Sequence, residues 1–172
     1  MTNTSVPPVK KSFSESMLYM WRSIILMAHA DGVVHDKERQ LFDRIFVKIA
    51  KAYDATPEQM QLLARDLSEQ QDFDEITRHV TDPEHKAVLV YFAQVVASID
   101  GVLAYDEASM IGRLQGAFGL KPDTEEVMKK IRAEISEQMQ RRKAEVETAT
   151  PREPIQYALD ALLFRLGMER LD

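Results

Sequence analysis

Apolar residues recur along this chain at steps of three and four positions, the spacing that places them on one face of an α-helix. An early example is the series Met17, Met20, Ile24 and Met27. No run longer than four residues alternates between apolar and polar as a half-buried strand would, so no sheet is expected. The pattern predicts an all-α protein, a compact bundle of about seven or eight helices with the apolar stripes in its core. The helices are expected near residues 13–30, 36–52, 57–70, 73–80, 83–99, 105–118, 122–147 and 152–170.

Several of these helices begin with a recognisable capping sequence. Thr56 is followed by Pro57 and, three residues after the threonine, by Gln59, which is the pattern of a capping box with proline in the first helical position. The same spacing of a cap and an acid occurs at Asp72 and Glu75 and at Ser12 and Glu15. These signals fix the predicted starts of the first, third and fourth helices.

Composition and charge exclude several classes of function. The chain has no cysteine, which removes disulfides, thiolate-bound zinc and thiol nucleophiles. Its 28 acidic residues outnumber its 22 basic ones, whereas nucleic-acid binding needs a basic footprint, so we expect no nucleic-acid partner. The most apolar stretch, residues 87–99, is shorter than the about 20 residues that span a bilayer. We therefore expect no transmembrane segment and a cytoplasmic location.

The sequence also lacks the motifs that frame catalysis. There is no Gly-x-Ser-x-Gly nucleophile elbow, no phosphate-binding P-loop and no Gly-x-Gly-x-x-Gly turn. The paired Glu-x-x-His motifs of a carboxylate-bridged metal enzyme are missing as well. We therefore expect a protein that is not an enzyme.

The most informative feature is an internal repeat. Residues 28–44 match residues 97–113 at an offset of 69. Each copy contains an Asp-Gly pair, a hydrophobic residue two positions after the glycine and a glutamate six positions after it. Because predicted helices flank each copy, the sequence predicts two pseudo-symmetric helix–turn–helix repeats, at about residues 14–70 and 83–140, packed about a local twofold axis.

The glycine-to-glutamate interval is that of the second half of a calcium-binding EF-hand loop. The first half does not fit. Met27 and His29 stand in the first copy, and Val96 and Ser98 in the second, where two Asp or Asn ligands belong. An ordinary EF-hand is therefore rejected, because a hard cation such as Ca²⁺ needs six or more oxygen ligands.

Two half-sites could nevertheless combine into one. If the local twofold brings the turns together, they supply four carboxylates that a cation would have to neutralise. These are Asp31, Glu38, Asp100 and Glu107, with Asp36 and Asp106 in reserve. The alternative is that each acid only caps a helix or closes a turn, and the spacing leaves both readings open.

Oxygen ligands favour Ca²⁺, Mg²⁺ or Mn²⁺ for such a site. Zinc prefers nitrogen or sulfur. His29 and His35 flank the first turn, but Ser98 and Ala104 occupy the matching places in the second. Zinc is therefore less favoured, and the four histidines are expected at the surface or in turns.

A helical chain with two segments of the form Ala-x-x-Asp-Gly-x-[Val/Ile/Leu]-x-x-x-Glu resembles the tellurite-resistance TerB-like family. The resemblance covers residues 14–140 and implies a compact helical bundle with paired acidic turns. It implies that the matching acids Asp31, Glu38, Asp100 and Glu107 bind a divalent metal. It also implies a role in tellurite or other chemical stress, and association with protein complexes at the inner face of the membrane.

These observations give a domain plan and two functional hypotheses. Residues 1–11 are expected to form a flexible leader, 12–147 the TerB-like domain and 148–172 a C-terminal helix docked on it. The first hypothesis is a non-enzymatic module for divalent-metal binding or protein interaction in a tellurite-type stress response. The alternative is a purely structural interaction scaffold, or a co-chaperone-like adaptor, with no metal. A protein partner is expected in either case, and a homodimer is compatible with both.

Overall fold

The computed structural model describes residues 9–29, 36–99, 112–118, 133, 137, 159–160, 162–163 and 166–168, with the backbone alone for 94–99. Its helices are α1 (Glu15–Ala28), α2 (Asp36–Ala52), α3 (Pro57–Asp66), α4 (Phe73–Thr77) and α5 (Pro83–Ile99). Residues 112–117 are helical as well. The all-α class is confirmed. Helices α3 and α4 end earlier than expected, at Asp66 and Thr77.

The predicted caps account for where two of these helices begin. The Thr56 hydroxyl accepts the backbone N–H of Gln59 at 3.2 Å, and the Gln59 side chain returns to the Thr56 N–H at 2.9 Å. The Asp72 carboxylate accepts the N–H of Glu75 at 2.9 Å. The expected cap of the first helix was wrong by two residues, because Ser14 and not Ser12 caps α1.

Helix α1 lies at the centre of the described part of the molecule and packs against α3, α4 and α5. All of its residues are buried except Glu15 and Tyr19. Its methionines Met17, Met20 and Met27 belong to this core. The methionine stripe of the first helix therefore serves packing, as a fully surrounded helix requires.

Two short strands were not expected from the sequence. Strand β1 (Lys11–Ser12) and strand β2 (Tyr53–Asp54) pair in parallel, with Lys11 opposite Tyr53 and Ser12 opposite Asp54. Two residues are too few to show an alternating pattern, which explains why the expectation of no sheet was wrong here. The pairing places Ser12 in β1 and fixes the chain before α1 to the end of α2.

Residues from the second half of the chain complete the core. Leu114, within the helical residues 112–117, and Leu159, Leu162 and Leu163 are fully buried. Gly167 has φ +74°, and the N–H of Met168 donates to the Leu163 carbonyl at 2.8 Å. This left-handed glycine ends the last described turn in the manner typical of helix C-termini.

Candidate functional site

The predicted metal ligands fall mostly outside the described residues, and so do the turns that carry them. Four of the six candidate acids lie outside the described residues: Asp31, Asp100, Asp106 and Glu107. Glu38 and its reserve, Asp36, are described: both lie in the first turn of α2, with Glu38 half-buried and Asp36 exposed. Within the described ranges, no group of three or more His, Asp and Glu side chains is placed to hold a metal ion.

The end of α1 that leads to the first acidic turn is anchored by His29. This residue caps the C-terminus of α1 and is buried. Its Nε2 lies 2.7 Å from the backbone carbonyl of Asp66. Since a carbonyl oxygen only accepts, Nε2 carries the proton in this bond. The expectation of a surface or turn histidine is corrected: His29 sits at a helix end, but it is buried there by its bond to α3.

A buried ion pair ties the middle of α1 to the same end of α3. The Arg22 guanidinium donates from Nε to Asp66 Oδ2 at 2.7 Å and from Nη2 to Oδ1 at 3.2 Å. Arg22 and Asp66 are only 6% and 2% exposed. Burial alone lowers the pKa of Arg22, but the hydrogen bond and charge of Asp66 outweigh it, so this pKa lies above its ordinary value.

Helix α2 is attached to the same place. Arg39, one turn into α2, donates to the Leu67 carbonyl at 3.1 Å and to the Ser68 hydroxyl at 3.2 Å. The last carbonyls of α3 thus receive donors from both helices, and cationic donors are favoured at the negative end of a helix dipole. The residues on either side of the first acidic turn, His29 and Arg39, are therefore fixed to one short segment, 66–68.

A second buried contact lies at the opposite end of α1, where the helix meets the start of α5. The Ser16 hydroxyl oxygen accepts the backbone N–H of Thr81 at 3.2 Å and that of Asp82 at 3.0 Å. It lies 2.8 Å from Nδ1 of His85, which is 69 residues further along the chain. Because both oxygen lone pairs are taken, the hydroxyl donates its proton to Nδ1, which is the unprotonated nitrogen of the ring.

The separation of Ser16 and His85 along the chain, 69 residues, equals the offset of the sequence repeat. Helices α1 and α5, which begin there, are direct neighbours. His85 is buried, so the expectation that it lies at the surface was wrong. The partner that accounts for its burial, Ser16, is far away in the sequence.

Sequence reasoning also missed the ion pair at the end of α3. One signal was available: Arg22 interrupts the apolar stretch from Met17 to Ala28, and a charge in a buried helix needs a partner. Nothing identified Asp66 as that partner, because it follows Arg65 in a polar segment that reads as solvent-exposed.

Comparison with known proteins identifies the family. Residues 20–130 match the family model described as "Tellurite resistance protein TerB", which is more than half of the 172-residue chain. No curated protein and no solved structure gives a significant match. The chain belongs to the TerB family, as its duplicated acidic turns led us to expect. In the part of the chain that the structure describes, no helix has both the length and the apolar character that a membrane crossing requires.

Proposed function

We propose that this TerB-family chain is a non-enzymatic helical module that binds one divalent cation through the acids of its two repeated turns. The proposed ligands are Asp31, Glu38, Asp100 and Glu107. The family match includes all four positions. Carboxylate oxygens favour Ca²⁺, Mg²⁺ or Mn²⁺. In this proposal the module acts in a tellurite-type stress response by associating with an intracellular protein partner at the inner face of the membrane.

The observation that carries the metal proposal is the anchoring of the first acidic turn. His29 on one side and Arg39 on the other both donate to the end of α3. A turn with both flanks fixed to one short segment loses less conformational entropy when a ligand orders it. Structural restraint of this kind around a run of acids is what a preorganised cation site needs.

The contact between Ser16 and His85 supports the pairing of the two turns. A local twofold axis relates each residue of one half to its equivalent, and equivalent residues touch where the axis passes between them. Ser16 and His85 are separated by the repeat offset of 69 residues and are in contact. The contact brings the starts of α1 and α5 together, as a twofold relation between the halves requires, and the proposal extends that relation to the turns at the other ends of the two helices.

Isothermal titration of the full chain tests the proposal, with Ca²⁺, Mg²⁺ and Mn²⁺ titrated separately in a chelator-treated, phosphate-free buffer. The double variant Asp31→Asn/Asp100→Asn removes one acid from each turn, and we expect it to weaken cation binding by about tenfold or more. The matched control is Asp43→Asn/Glu58→Gln, which removes two exposed acids from α2 and α3 outside the motif. The control is expected to bind like the unmodified chain.

Two results would contradict the metal proposal. One is an unmodified chain that binds none of the three cations. The other is equal affinity in the unmodified chain and the Asp31→Asn/Asp100→Asn variant. If Asp31→Asn lowers the free energy of unfolding by about 1 kcal/mol, a typical loss for a cap or turn residue, and leaves cation binding unchanged, the chain is a scaffold whose acids serve the fold.

A further inference from the structure

A cavity of about 370 Å³ lies where β1, the end of α2 and residues 167–168 come together. Three lysines line it, Lys11, Lys48 and Lys51, beside the ring of Tyr53. Its volume is within the range of pockets that hold small molecules in proteins. We call it the lysine cavity.

The fold assembles this cavity from segments that are distant in the sequence. Lys48 and Lys51 are three residues apart on α2, which places them on the same side of that helix. Lys11 joins them because β1 pairs with β2 directly after α2, with Lys11 opposite Tyr53. Gly167 and Met168, from near the C-terminus, complete the described lining of the cavity.

No acid of the described residues forms an ion pair with the lysines of the cavity, Lys11, Lys48 and Lys51. The end of α2 contributes only about half a negative charge, which three ammonium groups exceed. In a chain whose net charge is −6, three lysines around one concave surface form a local positive field that attracts anions.

Tyr53 adds no negative charge to that field. Its side chain is buried, and burial raises the pKa of its phenol above the ordinary value. The ring therefore stays neutral where an exposed tyrosine would already carry a negative charge. A neutral phenol also leaves the charge of the three lysines free for a ligand.

A second cavity of about 520 Å³ adjoins the first across Tyr53, which lines both. Its walls include Met17, Val88 and Leu166, and Leu166 directly precedes the Gly167 of the lysine cavity. The second cavity is also lined by Glu84 and His85, so its walls are part apolar and part polar. Its apolar walls fit the body of a molecule whose anionic group lies among the lysines, and a free anion needs the lysine cavity alone.

We propose that the lysine cavity binds a phosphate group. Phosphate concentrates two negative charges in one tetrahedral group, and lysine binds it as a flexible point charge. The group could come from free phosphate or from the headgroup of an anionic lipid whose chain reaches the apolar walls of the second cavity. This site is separate from the proposed cation site, since the proposed ligand Glu38 and the cavity lysines Lys48 and Lys51 lie at opposite ends of α2.

Two experiments test the proposal. Isothermal calorimetry at low ionic strength measures the binding of inorganic phosphate to the full chain, and sedimentation measures its binding to vesicles. The vesicles are phosphatidylcholine alone or phosphatidylcholine with phosphatidic acid. Lys11→Gln, Lys48→Gln and Lys51→Gln are each expected to weaken binding about fivefold, the effect of losing one partly exposed charge pair. The matched control is Lys37→Gln, an exposed lysine at the other end of the same helix.

Each outcome decides a point. Binding of inorganic phosphate with no preference for phosphatidic acid vesicles assigns the site to a free phosphate, and vesicle binding alone assigns it to a lipid headgroup. In both cases only the three cavity variants should lose affinity. Absence of binding to either probe overturns the proposal. Equal weakening by Lys37→Gln also overturns it, because the attraction would then come from overall charge. Thermal unfolding of each variant checks that the fold is retained.

Discussion

The two ends of helix α1 are held by polar clusters of different kinds. At the N-terminal end, Ser16 joins His85 and two backbone amides in a neutral cluster. Further along, Arg22 and His29 converge on Asp66 in a cluster built around an ion pair. The side chains of Ser16, His85, Arg22, His29 and Asp66 are all buried, and both clusters connect α1 to segments far away in the sequence.

The difference between them lies in what remains when one member is removed. Loss of a hydroxyl leaves neutral amides without a partner, at a cost of about 1–3 kcal/mol for each group that stays buried. Loss of a carboxylate leaves a buried guanidinium, and an uncompensated buried charge costs more. The ion-pair cluster should therefore control the stability of the contact between α1 and α3, and the neutral cluster that of the contact between α1 and the start of α5.

The largest expected effect is that of Asp66→Ala. It leaves Arg22 buried without its carboxylate, and we expect the free energy of unfolding to fall by about 3–5 kcal/mol. Urea unfolding followed by circular dichroism measures this change. The matched control is Asp74→Ala, whose ion pair with Arg113 has a similar length of 3.1 Å but whose side chain is 77% exposed. The control should lose less than about 1 kcal/mol.

A second variant separates the charge from the packing. Replacing both partners, as Arg22→Met/Asp66→Leu, removes the stranded charge together with the ion pair. We expect this double variant to recover most of the stability that Asp66→Ala loses. A double variant as unstable as Asp66→Ala would show that the shape of this region, and not its charge, controls stability.

An intermediate effect is expected at the other end of α1. Ser16→Ala removes the acceptor of the Thr81 and Asp82 amides and the donor to His85. We expect a loss of about 2 kcal/mol in the free energy of unfolding, measured in the same way. The control is Ser23→Ala, since Ser23 is a buried serine of the same helix that bonds only to the carbonyl of Tyr19, four residues before it. Equal losses at the two serines would contradict a special role for Ser16.

The smallest expected effect is a loss of stability at alkaline pH. It arises near the N-terminal end of α1 and not at the Asp66 ion pair. Tyr53 contacts Phe13 just before α1, at 5.8 Å between ring centroids, and its pKa is raised by burial. The folded chain therefore holds this proton more tightly than the unfolded chain. The resulting stability is fully present below about pH 10 and is lost as pH rises through the folded pKa.

Tyr53→Phe should remove this part of the alkaline loss of stability. The measurement is the unfolding temperature as a function of pH between about 9 and 11, one pH unit on either side of the ordinary pKa of tyrosine. The variant should show a smaller fall in unfolding temperature across that range. The ion pair at Asp66 should contribute nothing in that pH range, because the ordinary pKa of arginine already lies above it and the pKa of Arg22 is raised from that value. An unchanged profile in Tyr53→Phe would place the alkaline sensitivity elsewhere.

Much of the fold was predictable because it depends on residues close together in the sequence. The capping box at Thr56 and Gln59 is a local hydrogen-bond pattern, and the structure contains it. The apolar steps of the first helix predicted its burial, because helical periodicity is also local. The family was accessible for the same reason, since the repeated acidic turn is a short motif that occurs twice.

The parts that escaped prediction all join distant segments. Burial of His85 depends on Ser16, and burial of Asp66 depends on Arg22. The lysine cavity needs β1 and β2 to pair before Lys11 meets Lys51. Neither composition nor periodicity encodes such contacts, because each lysine, acid or histidine alone has the pattern of a solvated surface residue. The pairing of the acidic turns themselves stays a prediction, as most of their residues lie outside the described ranges.

The hydrogen bond between Ser16 and His85 has a polarity, since the hydroxyl gives the proton and the imidazole takes it. Two identical halves would present the same side chain from both sides of their junction and would have no such polarity. In an artificial protein made of two first halves, two serines would meet at this contact. In one made of two second halves, two imidazoles would meet there. At this contact the two sides are therefore complementary and not identical, and exchanging Ser16 and His85 would change which helix supplies the proton.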